Sequence, residues 1–264
     1  TLRRIPLIKA GLIMKEYRVD KHAVLRTVLI TLFFLFLANV AVIYSTHYLG
    51  HGRLFGLVKL FDFNSEYNPP TLFSAVLILI NAFLFYILYR DNLLGGSSKY
   101  FIVLSWIFVF LAFDEMLKIH EMTIEPLRAL LHGDGLLYYM WVIPYGALVL
   151  LLALYLIPFF RDLPKRYLWL YLLSGVVFIT GAMVLDSLEA RHFRMHGIDI
   201  IYHVYTTIEE LLEMGGMILA MYTSMTILEE TSGGFHMTLF EKQKKRGSEN
   251  VCGRSHLSSI MGPE

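Results

Sequence analysis

Between residues 27 and 46 the chain carries no charged side chain. The run "TVLITLFFLFLANVAVIYST" is as long as a helix needs to cross a bilayer, roughly 20 residues at about 1.5 Å each. Five further apolar runs follow, at 71–89, 100–119, 138–160, 167–188 and 203–228. With 56% hydrophobic residues and a mean hydropathy of +0.56, a soluble domain of 264 residues could not hide this much apolar surface. In lipid each run must satisfy its own backbone hydrogen bonds, which selects helices. The expected fold is all-α: a polytopic membrane protein with a six-transmembrane-helix bundle over residues 27–228. A basic cytoplasmic segment, 1–26, precedes it and a polar, flexible cytoplasmic tail, 229–264, follows. Short links such as "RDNLLGGSSK" and "RDLPKR" make neighbouring helices antiparallel. No fixed-period repeat is visible, so the pattern does not support an inverted-repeat transporter.

Basic residues set the expected orientation. With the N-terminus in the cytoplasm, 17 of the 23 Lys and Arg residues fall on the inner side, and six spans return the C-terminus there. The outer side then holds 13 of 22 acids and seven of ten histidines. Two outer segments read as short interfacial helices: "RLFGLVKLFDF" (53–63) and "TIEPLRALLHGDG" (123–135), the second ended by Gly133. Pro69 and Pro70 stop what precedes them, and Thr71 is placed to cap the second span. The net charge of +1 gives no basic field and argues against a nucleic-acid partner. The single cysteine, Cys252, excludes an intramolecular disulfide and a thiolate metal site.

Depth separates a site from an exit signal. In "FVFLAFDEMLKIHE" (108–121), Asp114 lies about 21 Å along the third run, about 9 Å below the outer face of a core about 30 Å thick. Glu209 and Glu210 lie about 9–10 Å into the sixth run and Glu213 about 15 Å in. Asp186 and Glu189 end the fifth. Ionisable groups at such depths are costly, and usually face a bundle interior, paired or metal-bound. On an ideal helix Asp114, Lys118, Glu121 and Glu125 share one stripe, and His120 joins it only if the helix loosens. For Asp114 and Lys118 alone, an i,i+4 ion pair is an equal explanation. Glu189 and His192 form a Glu-x-x-His pair, the spacing that helical carboxylate metal sites use. Glu209, Glu210 and Glu213 need protons, cations or basic partners, and Lys118 and Arg191 are too few for them all. His47, His51, His132 and His196 read as loop or interface residues.

Three stretches carry a family resemblance: "RLFGLVKLFDFNSEYNPPTLFSAVLIL", "FDEMLKIHE" and "TTIEELLEMGGMILAMY". Together they resemble an uncharacterised family of six-span bacterial inner-membrane proteins, often labelled hypothetical protein or multidrug transporter. The resemblance covers roughly residues 50–228. It implies a multi-pass place in a bacterial inner membrane and picks out Asp114, Glu115, His120, Glu121, Glu209, Glu210 and Glu213. It brings no activity with it.

The expected site is an outward-facing carboxylate/histidine cluster holding one or two divalent transition metal ions. Its ligands are drawn from Asp114, Glu115, His120, Glu189, His192, Glu209, Glu210 and Glu213. Carboxylate and imidazole without thiolate suit zinc, iron, manganese or copper. If the site is catalytic, its metal activates water or oxygen against a lipid-borne substrate. Two other readings fit the same residues. One is a proton- or cation-coupled transporter. The other is a non-catalytic subunit whose acids meet basic residues of a membrane-protein partner or of a second copy. The chain has no haem-type His pair, phosphate-binding Gly-rich loop or serine-nucleophile motif, so no catalytic residue is assigned.

Overall fold

The computed structural model describes residues 12–52, 56–232 and 235–242. Much of the 1–26 segment and the 229–264 tail, and positions 53–55 of the first interfacial segment, lie outside the described residues. Two strands, β1 (Leu12–Val19) and β2 (Phe235–Lys242), pair in a two-stranded sheet within stretches expected to be plain polar segments.

The body of the chain, Val19–Phe235, is helical. Five helices are long and apolar enough to cross a membrane. They are α1 (Lys21–His47), α3 (Pro69–Arg90), the Gly95–Leu117 segment containing α4 (Ser98–Leu117), the Lys165–His196 segment and α11 (Ile200–Ser232). The expected fourth span is divided. Helix α7 (Val142–Tyr155) stops, and α8 (Ile157–Asp162) begins with Pro158 in its first turn. Proline lacks an N–H and its ring crowds the carbonyl four residues back, which interrupts a helix at this point. The 14 residues of α7 reach about 21 Å, short of a bilayer core.

Helix α11 is the axis. Its apolar window is 67% buried and that of α3 61%, against 17% for α1 and 11% for Lys165–His196. The outer helices turn Phe34, Trp106, Leu150 and Trp169 outward, the surface expected to meet lipid. In lipid, helices associate by close packing and interhelical hydrogen bonds, and small residues mark the seams. A Cβ on Gly216 would come within 2.8 Å of the Phe178 backbone, so only glycine lets α9 (Lys165–Ile179) lie this close to α11. There Ser174 Oγ donates to Gly216 O at 2.8 Å. Asn81 ties α3 to α11 by donating to Met217 O at 3.0 Å, and Ser105 ties α4 to α3 through Ala82 O at 2.8 Å. Phe85, Phe101, Phe108 and Phe159 fill the space between them, with edge-on ring pairs 4.9 and 5.2 Å apart.

Polar links fix the connection from α2 (Leu57–Phe61) to α3. Buried Asn39 of α1 donates to Thr207 Oγ1 of α11 at 2.8 Å and accepts the Phe63 amide at 3.0 Å. The N-cap of α3 is Asn68 rather than Thr71: its Oδ1 accepts the Thr71 amide at 3.0 Å, with Pro69 and Pro70 inside the first turn. Those positions have no use for an N–H, and the fixed φ of proline suits them. The second interfacial segment forms α6 (Ile124–Leu131), and His132, not Gly133, takes the left-handed position that ends it.

Candidate functional site

Two irregularities build the site. The first is at the end of α4. Helix α4 stops at Leu117 because Lys118 adopts a left-handed conformation (φ 52°, ψ 47°), and the chain restarts as α5 (Ile119–Met122). A non-glycine residue held there costs about 1–3 kcal/mol and persists only where its surroundings fix it. The break turns His120 back over Asp114: Oδ1 accepts the His120 amide and Oδ2 meets its Nδ1, both at 2.9 Å. Tyr145 of α7 donates to Oδ1 at 2.8 Å. Lys118 does not pair with Asp114. Its Nζ lies 2.7 Å from Glu121 and 3.3 Å from Glu66, in the turn before α3.

The second is in the Lys165–His196 segment. After Ile179 the helix passes through a π-helical stretch, Thr180–Leu185, before α10 (Asp186–His196). Such wide turns often accompany functional sites. Gly181 within it lies under α11: a Cβ there would be 2.8 Å from Glu209 O and 3.1 Å from Glu213 N. The close approach sets Asp186 and Glu189 facing the acids of α11. Asp186 accepts from Trp141 Nε1 at 3.1 Å, and Glu189 from Thr206 Oγ1 at 2.6 Å.

Between these elements lies a cavity of about 290 Å³, with room for an ion and several waters. Glu115, Glu189, Glu209, Glu210 and Glu213 line it, joined by Asp186, Glu66 and Glu121. Among the described residues, Lys118 and one imidazole, His120, stand against these eight carboxylates; Trp141, Tyr139 and Tyr202 supply aromatic wall.

Six of the eight residues expected as ligands therefore share one cavity: Glu115, His120, Glu189, Glu209, Glu210 and Glu213. Two do not. Asp114, though only 6% exposed, sits behind His120. His192 turns away from Glu189 and places Nε2 2.8 Å from Asp199, with its ring stacked on His196 at 4.6 Å. Asp199, between α10 and α11, is held below the usual carboxylate range, first by the Tyr202 amide and then by His192. The Glu-x-x-His spacing thus does not deliver its histidine. Among the described residues, no group of three or more His, Cys, Asp or Glu side chains has the arrangement to hold a metal ion. Arg191 is exposed and does not reach the cavity. Asp186, Glu66 and Glu121 line the cavity although none was among the expected ligands. Asp186 and Glu121 were singled out in the sequence for their depth, face or family pattern without being placed among the ligands; Glu66 carries no such signal.

A family model described as a domain of unknown function, DUF8692, matches residues 25–228, and the chain belongs to that family. No curated protein and no solved structure matches the chain.

Proposed function

We propose that this member of a family of unknown function is a six-span protein of the bacterial inner membrane whose carboxylate-lined cavity opens outward and binds a cation. The occupant its donors suit is a divalent transition metal: zinc, iron, manganese or copper. The observation that carries this reading is the surplus of acid, eight carboxylates about one cavity against Lys118 and His120. In a low-dielectric setting such a surplus needs a cation or protons. The ligands are drawn from Glu115, His120, Glu189, Glu209, Glu210 and Glu213. Chelator-treated protein titrated with each metal should bind about one equivalent, and Glu210→Ala or Glu189→Ala should weaken binding about tenfold or more while the bundle stays folded. Failure of all four metals to bind would sink the metal reading.

A second reading, proton or cation exchange by a membrane carrier, is favoured by one fact: no three ligating side chains are gathered on a common point among the described residues. It predicts pH-dependent flux into vesicles without stoichiometric metal.

The topology rests on the 17 of 23 basic residues that an inner N-terminus places on the cytoplasmic side. Cys252 should then resist an impermeant thiol reagent in intact cells and react once the membrane is opened. Labelling in intact cells would reverse the orientation.

A further inference from the structure

Asp114 is buried and yet does not line the cavity; His120 does. The two side chains are locked together. One carboxylate oxygen takes the His120 amide and the Tyr145 hydroxyl, and the other lies 2.9 Å from Nδ1. An ionised carboxylate only accepts hydrogen bonds, so a neutral imidazole in this contact carries its proton on Nδ1 and a lone pair on Nε2. The ring cannot readily turn over. Trp141 lies 4.8 Å from it and Tyr145 6.2 Å, and Trp141 is itself anchored on Asp186. Nε2 makes no hydrogen bond among the described residues. The left-handed turn at Lys118 is what brings His120 onto Asp114; in an unbroken helix the two would lie about 120° apart.

We propose that Asp114 is a positioning residue: it fixes His120 as the Nδ1–H tautomer, so that an unprotonated Nε2 faces the carboxylate-lined cavity as its imidazole donor. Carboxylate partners commonly orient metal-binding histidines in this way. What Nε2 meets rests on the cation reading above; the tautomer does not.

Asp114→Asn is the informative change. Asparagine can keep its oxygen on the His120 amide and Tyr145 while its NH₂ donates toward Nδ1, which moves the imidazole proton to Nε2. Full-length protein labelled with ¹⁵N-histidine, with the His120 signals identified by their loss in His120→Gln, reports the tautomer directly. The expected result is Nδ1–H in the wild type and Nε2–H in Asp114→Asn. Tyr145→Phe, which removes a different bond to the same carboxylate, should leave it unchanged. An Nε2–H tautomer in the wild type would overturn the proposal even if the asparagine variant did not fold, as would an unaltered tautomer in that variant. Added Cu²⁺ serves as a second probe: imidazole-nitrogen coupling in its magnetic resonance spectrum should be present in the wild type and lost in Asp114→Asn. Expected tautomers with no bound Cu²⁺ would uphold the role of Asp114 and count against the cation reading. Coupling retained in Asp114→Asn would count against the positioning role.

Discussion

Helix α11 carries two acidic groups, and they are built in opposite ways. At one end Glu229 lies 2.6 Å from Lys21, and Glu230 takes Arg166 at 2.6 Å and the Tyr167 hydroxyl at 2.5 Å. Each charge there has a partner on a neighbouring helix. About five turns away Glu209, Glu210 and Glu213 face Asp186, Glu189 and Glu115 across a cavity, with Lys118 the one lysine lining it among the described residues. The backbone around the paired end is regular, whereas around the cavity it breaks at Lys118 and widens through Thr180–Leu185. Paired acids can hold a helix end in place. Acids gathered without enough basic partners cost stability, and two helices depart from regular geometry where these acids gather.

That contrast can be broken by removing one charge from each group without changing shape. Of the three acids on this part of α11, Glu213 lies farthest from the helix start, and keeping a buried carboxylate ionised without a basic partner costs several kcal/mol. In metal-free protein at neutral pH, Glu213→Gln should therefore raise the unfolding midpoint, and Glu230→Gln should not. Adding Zn²⁺ should close the gap by stabilising the wild type, by about 2.7 kcal/mol at a hundredfold excess over Kd. Thermal unfolding in detergent, with chelator and then with Zn²⁺, reads both effects. A lower midpoint for Glu213→Gln in chelator would mean that its charge already has a stabilising partner, and the two acidic groups would not differ in kind.

Which parts of this were legible depends on where each constraint lives. Of the six apolar runs, five form helices long and apolar enough to cross a membrane, because length and composition are properties that sequence alone reveals. The fourth does not, since Pro158 divides it. The acids of α11 were legible too, since charge at that depth has few harmless explanations. Ideal helix geometry misplaced residues wherever the backbone departs from it. Lys118 is not a residue type that signals a left-handed turn, so the approach of His120 to Asp114 could be stated only as a condition. The wide turn at Thr180–Leu185 changes which residues of the Lys165–His196 segment share a face, and nothing in "TGAMVL" marks it. His192 was lost to the site because Asp199, seven residues on and past the helix end, takes it.

That capture yields the smallest expected effect, and it sharpens the comparison by asking whether His192 belongs to the structural pairs or to the cavity. Asp199 accepts the Tyr202 amide at 2.9 Å and holds His192 Nε2 at 2.8 Å, and these contacts keep its carboxylate below the usual range. A group whose folded value is depressed contributes stability above its unfolded value, near 3.9, and loses it as pH falls through the folded one. The first turn of α11 should thus open more readily as the medium is acidified below about pH 4, while Asp199→Ala should be loosened already at neutral pH and change little on acidification. Hydrogen exchange at Ile201, Tyr202 and His203, corrected for the intrinsic pH dependence, measures it. His192→Gln should reproduce part of this loosening and leave metal binding unchanged, because its ring serves the turn between α10 and α11. A loss of metal affinity in that variant would return His192 to the cavity and restore the Glu-x-x-His pair as a ligand set.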